Sequence, residues 1–158
     1  TAVRTKAFSR SLKRNANASA DLPQLVERLL VERSLAALAM ANKAGLVLAG
    51  NTKVETVIAA GEAAALVHAA EAAVDGAAKL DRRYTAMCRD LGLPVRIVSG
   101  FAIDQLSLAL GRSNVVHAAL KKGGAAELFI NEVARLRQFR SPATDHPDSE
   151  RGAADPPE

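Results

Sequence analysis

In 158 residues the chain has one cysteine, one tyrosine, four phenylalanines and no tryptophan. Each shortage closes off a class of protein. A single cysteine, Cys88, makes an internal disulfide impossible and rules out a Cys-rich zinc site, so a reducing cytoplasmic compartment is expected. The aromatic residues Phe8, Tyr84, Phe101, Phe129 and Phe139 are too few to build a broad platform on which bases stack. No apolar run reaches the roughly 18 residues a membrane-spanning helix needs. His68, His117 and His146 have no ligand spacing with a carboxylate or a thiol. Neither a metal, a cofactor nor a membrane is expected as a partner.

What is present points to one core and a polyanionic partner. Hydrophobic residues make up 49% of the chain, enough to bury one substantial core at this length but not two. The net charge of +4 is unevenly spread. Residues 1–20 contain Arg4, Lys6, Arg10, Lys13 and Arg14 without an acidic residue, so this arm holds more than the whole net charge. Residues 141–158 are rich in Pro, Asp, Ser and Gly and nearly devoid of large apolar side chains. Burial there cannot offset ordering entropy, which predicts a disordered acidic tail. The stretch between, 21–140, is expected to form a single α/β domain.

Within that stretch, Asp21, Pro23 and Gln24 read as a helix start. Leu22, Leu25, Val26, Leu29 and Leu30 follow at helical spacing. The pattern restarts with a phase shift at Leu35, Leu38 and Ala39 and runs to Lys43, as two helices or one bent one. Residues 46–49 are a short apolar run between Gly45 and Gly50 and predict a first strand. Val54, Val57 and Ile58 mark one face of a helix starting at Asn51 or Thr52, and 64–70 a second strand. A helix from about Asp75 places Leu80, Tyr84, Met87, Cys88 and Leu91 on one face and Lys79, Arg82, Arg83 and Arg89 on the other, and stops at Gly92 and Pro94. Residues 95–98 predict a third strand. Ile103, Leu106 and Leu110 mark a helix closed by Gly111, 115–120 a fourth strand, and 125–139 a last helix burying Phe129, Val133 and Leu136. The alternation predicts a three-layer α/β/α sandwich on a four-stranded, largely parallel or mixed sheet.

Gly45-Leu-Val-Leu-Ala-Gly50-Asn51-Thr52 has the glycine spacing and terminal threonine of a phosphate-binding loop. Asn51, however, stands where the lysine belongs, and the apolar middle reads as strand. The same residues suit a strand-to-helix turn, whose free amides attract phosphate and whose Asn51, Thr52 and Lys53 can reach base edges or backbone oxygens. An ordinary capped turn is the plainer reading. Gly111-Arg112-Ser113-Asn114 is a second polar turn before a buried strand, and Lys121-Lys122-Gly123-Gly124 a basic loop. Ser99-Gly100 fits a turn ending strand three, and Cys88 a core position. No catalytic residue is assigned.

The run Met40-Ala-Asn-Lys-Ala-Gly-Leu-Val-Leu-Ala-Gly50, with Ala-Leu-Val-His-Ala-Ala-Glu-Ala, Leu-Pro-Val-Arg-Ile-Val and Leu-Ala-Leu-Gly-Arg beyond it, resembles the L-seven-Ae type of ribosomal and kink-turn RNA-binding proteins. The arm Thr5-Lys-Ala-Phe-Ser-Arg-Ser-Leu-Lys-Arg looks like the end of a YlxR-type nucleic-acid-binding module. The resemblance implies a piece of a longer product tied to ribosome or transcription-termination processes, non-enzymatic and binding structured RNA. It implies contacts through Gly50, Asn51, Thr52 and Lys53 and through Gly111, Arg112, Ser113 and Asn114. Thr52 and Lys53 stand where kink-turn binders commonly have Asn and Glu, and Thr56 where they have Lys. General structured-RNA binding is therefore expected ahead of strict kink-turn reading. Two other classes stay open: a protein-interaction module whose RNA loops have decayed, and the accessory half of an RNA methyltransferase.

Overall fold

The computed structural model describes residues 21–141, and the basic arm at 1–20 and the tail beyond Ser141 lie outside the described residues. The elements in chain order are α1 (Leu22–Lys43), β1 (Val47–Ala49), α2 (Asn51–Ala59), β2 (Ala63–Ala69), α3 (Val74–Leu91), β3 (Ile97–Phe101), α4 (Ile103–Leu110), β4 (His117–Lys121) and α5 (Gly124–Arg140). The strands form one sheet in the order β1-β4-β2-β3. β4 runs antiparallel to both β1 and β2, and only β2 and β3 are parallel. The sheet is thus mixed rather than largely parallel. β4, last in sequence, enters between β1 and β2 and leaves β1, β2 and β3 ending on the same side.

Side chains alternate across the sheet as the pleat requires. Ala65, Val67, Val98, Ala118 and Leu120 face a layer made by α1, α4 and α5, where Leu38, Leu106, Phe129 and Leu136 are buried. Leu66 and Ala119 face the opposite layer, where Val54 and Ile58 of α2 meet Leu80, Tyr84 and Cys88 of α3. This is the expected α/β/α sandwich. Tyr84 crosses the second layer, and its hydroxyl donates to the Ala64 carbonyl at 3.0 Å and accepts from the Arg96 amide at 3.2 Å. Burial pushes its phenol up to about 12, with the hydrogen bond from the Arg96 amide opposing.

Several expectations are corrected. Residues 22–43 form one continuous helix, and the apolar repeat at its start is not its buried face. Leu22, Leu25 and Leu29 are exposed, and Ser34, Ala37, Leu38 and Ala41 are buried, because α5 and α4 cover the small-residue side. Asp21 caps α1 with its carbonyl, bonded to the Leu25 amide, and not with its carboxylate. Leu91, at the last turn of α3, is also exposed. β3 starts two residues late, past exposed Val95, and continues through Ser99 and Gly100, which form a bulge opposite His68 instead of a terminal turn. Gly100 takes φ +107°, a region closed to most side chains. On the outer side of this edge strand, Arg137 of α5 donates to the Ile97 carbonyl. β4 likewise starts two residues late, because Val115 is held to α4 by its amide bond to Ser107 Oγ at 2.9 Å.

Candidate nucleic-acid interface

At the end of the sheet where β1, β2 and β3 terminate, two turns come together. The first, Gly50 to Lys53, carries β1 into α2. Gly50 takes φ +105° and ψ 145°, which lets the chain leave the strand and start the helix with no intervening loop. The Gly50 carbonyl accepts from the Val54 amide at 2.9 Å, and no side chain caps α2, so the amides of its first turn point outward unpaired. The second turn, Gly111 to Asn114, leads from α4 to β4. Gly111 ends α4 at φ +63°, and Asn114, a residue that tolerates the left-handed region, takes φ +55°. Arg112 is tied back by its amide to the Ser107 carbonyl at 3.0 Å, which leaves its guanidinium outside.

The Gly50 amide donates to the His117 carbonyl at 2.9 Å, so the first turn is bonded to the first residue of β4. From the other side, Asn42 of α1 donates its amide to the Leu110 carbonyl at 3.2 Å, at the root of the second turn. All eight turn residues named from the sequence are exposed. Among the described residues, no carboxylate lies within 4.0 Å of Lys53 or Arg112. Asn51 is exposed and donates its amide to Glu55 Oε1 at 3.1 Å, which leaves its carbonyl oxygen as an acceptor. Thr56 bonds back to the Thr52 carbonyl at 2.9 Å. The segment Leu46 to Ala49 is not a glycine cradle, since its core is β1.

The third basic segment lies elsewhere. Lys121 closes β4 and Gly124 opens α5 at the opposite end of the sheet, so Lys121 and Lys122 do not join the two turns. A Cβ at Gly123 would sit 2.5 Å from Leu46 Cδ1, so a larger residue there requires the Leu46 side chain to shift. The five basic residues of the arm, Arg4, Lys6, Arg10, Lys13 and Arg14, lie outside the described residues, as does His146.

Sequence spacing missed one cluster. His68 of β2 and His117 of β4 are register partners, and their Nδ1 atoms are 2.9 Å apart. His68 Nε2 is 2.6 Å from Asp81 Oδ1 on α3. A carboxylate only accepts, so His68 donates from Nε2, and a single hydrogen lies between the two Nδ1 atoms. Both nitrogens of the buried His68 are therefore occupied by side-chain partners. Burial, and next the neighbouring His68, push the His117 pKa below its ordinary value, with Asp81 opposing. The alternating polar residue in each strand, at 68 and 117, was the only available signal. Strand pairing across 49 residues is what joins them.

These features define a three-layer α/β domain with a polar, cationic sheet end. No protein-family model and no curated protein matches the chain. Among solved structures it is similar to a protein of unknown function from Bacillus halodurans, at 20% identity and TM-score 0.53 over 65% of this chain and 97% of that one. It is also similar to the Giardia lamblia 15.5kD RNA binding protein, at 18% identity and TM-score 0.49 over 70% of this chain and 89% of that one. The Bacillus likeness shows that nearly the whole of a separate protein has the same arrangement of elements.

Proposed function

We propose that the chain binds structured RNA without chemistry, using the sheet end formed by Gly50, Asn51, Thr52 and Lys53 and by Gly111, Arg112, Ser113 and Asn114. The observation that carries this reading is the Gly50 amide bond to the His117 carbonyl, which joins two exposed polar turns into one surface. That surface offers three kinds of RNA contact. The free amides and positive end of α2 suit a phosphate. Lys53 and Arg112 supply positive charge that no carboxylate among the described residues pairs, and Arg112 can fork onto a phosphate or a guanine edge. Asn51, bonded through its amide to Glu55, offers its carbonyl oxygen as an acceptor. Aromatic residues are absent from both turns, so recognition rests on backbone shape and hydrogen bonding and not on stacking.

The L-seven-Ae resemblance of the sequence supports the same surface, and Thr52, Lys53 and Thr56 favour a general structured-RNA reader over a strict kink-turn one. The basic arm adds salt-dependent affinity for any polyanion. A cytoplasmic role beside the ribosome or transcription termination follows from the resemblance to the YlxR-type module. The test is a titration of the 158-residue chain against a kink-turn RNA, a plain RNA duplex and a DNA duplex at two salt concentrations. Preference for the bent RNA that persists at moderate salt supports the reading. Equal, salt-labile binding to all three would assign the affinity to charge alone, and no binding would sink the RNA reading and favour a protein partner.

A further inference from the structure

The outward face of α3 belongs to neither turn, yet it begins at the same end of the sheet. α3 starts at Val74, directly after β2 ends, and runs away from that end for 18 residues. One side is fixed in the core by Leu80, Tyr84, Met87 and Cys88. The other presents Lys79, Arg82, Arg83 and Arg89, all exposed. At the helical rise of about 1.5 Å per residue, the stripe from Lys79 to Arg89 is roughly 15 Å long. Among the described residues, no carboxylate lies within 4.0 Å of Lys79, Arg82 or Arg89. Asp75 and Asp90 stand at the two ends of the stripe, and Asp81 is turned toward His68.

A chain of contacts joins this stripe to the first turn. Arg83 Nη1 is 3.4 Å from Glu55 Oε2, and Glu55 Oε1 accepts the Asn51 amide at 3.1 Å. The stripe is thus a continuation of the surface that holds Asn51. No aromatic side chain lies on it, which excludes stacked single-stranded bases, and the residues between the cations are Thr85 and Ala86. A rigid row of cations without base-reading side chains suits the phosphate backbone of a duplex, which it can position but not read.

We infer that the Lys79–Arg82–Arg83–Arg89 face of α3 is a second RNA-binding surface that grips the phosphate backbone of a helical stem flanking the RNA element held by the two turns. This rests on the RNA reading proposed above. The stem lies along α3 and leaves the turns free to discriminate.

The test uses two RNAs that share one bent internal loop, one with a flanking stem long enough to run along α3 and one with that stem cut back. The 158-residue chain and its Arg82→Glu/Arg89→Glu variant are titrated with both, with urea unfolding as a control for folding. The expected result is at least a tenfold loss for the variant on the long-stem RNA, little change on the short-stem RNA, and a salt slope reduced by about two on the long stem alone. Equal affinity of wild type and variant for the long-stem RNA would overturn the inference and leave the turns as the binding site. An equal loss on both RNAs would also overturn it, as a general charge effect. Failure of the wild type to bind either RNA would overturn the RNA reading itself. Should the charge reversal unfold the domain, Lys79→Gln/Arg89→Gln removes the charge more gently and carries the same expectations.

Discussion

The two ends of the sheet have similar numbers of cations and pair them to different extents. At the end where β4 finishes, Lys121 lies 3.8 Å from Glu62, and Arg96 lies 2.8 Å from Glu127. Tyr84 there satisfies the Ala64 carbonyl and the Arg96 amide, so the backbone is closed and two of the cations are paired, while exposed Lys122 has no carboxylate within 4.0 Å among the described residues. At the end where β4 begins, Lys53 and Arg112 have no such partners among the described residues, and no side chain caps the first turn of α2. A paired cation has little potential left for a polyanion, whereas an unpaired one in an exposed turn keeps it. Local pairing, more than the count of basic residues, therefore separates a candidate interface from ordinary surface.

That contrast can be broken at several points. The largest effect is expected from Lys53→Ala/Arg112→Ala, which should weaken structured-RNA binding roughly 10- to 100-fold with little change in stability. Arg96→Ala/Lys121→Ala should change RNA affinity less than about twofold, and filter binding of the two variants side by side decides the matter. A similar loss in both would erase the distinction between the ends. Next, Gly50→Ala forces a Cβ into φ +105° and should cost about 1–3 kcal/mol in urea unfolding while also weakening RNA binding. Tyr84→Phe leaves two backbone groups at the closed end without their partner and should cost about 1–3 kcal/mol. Its RNA affinity, measured well below the unfolding midpoint, should be unchanged.

The smallest effect is on pH. The folded-state pKa of His117 lies below its ordinary 6.5, so the unfolded chain binds more protons between those two values. The stabilisation from neutral His117 is present above about pH 6.5 and is lost as pH falls toward its depressed folded value. Urea midpoints measured from pH 7.5 down to 5 should decline, and His117→Gln should flatten that part of the decline. Because the His117 carbonyl holds Gly50, loss of order should appear first in amide exchange at the first turn.

How much could be read in the sequence depended on the range of the contact. Element types followed local periodicity, so all nine appeared in order, and glycines at 92 and 111 marked the ends of α3 and α4. The two turns were legible for the same reason, since apolar runs stop beside Gly50 and Gly111. The face of α1 was not legible: leucines at helical spacing predicted burial, but α4 and α5 close in on Ser34, Ala37 and Ala41, where small residues permit close approach. Strand order was hidden too, because β4 pairs with strands that precede it by some 50 residues or more. The His68–His117–Asp81 cluster depends on that pairing, and so did the nearness of the two turns.

The edge strand β3 shows how this surface avoids trapping its own kind. A free strand edge is a template for the strand of a neighbouring molecule. Here the Ser99–Gly100 bulge interrupts the regular ladder, and the Arg137 guanidinium occupies the Ile97 carbonyl that an incoming strand would use. A second copy meets a kinked edge with a positive charge on it. Removing Arg137 would uncover that carbonyl and leave a sticky margin, and the expected consequence is lower solubility at high protein concentration.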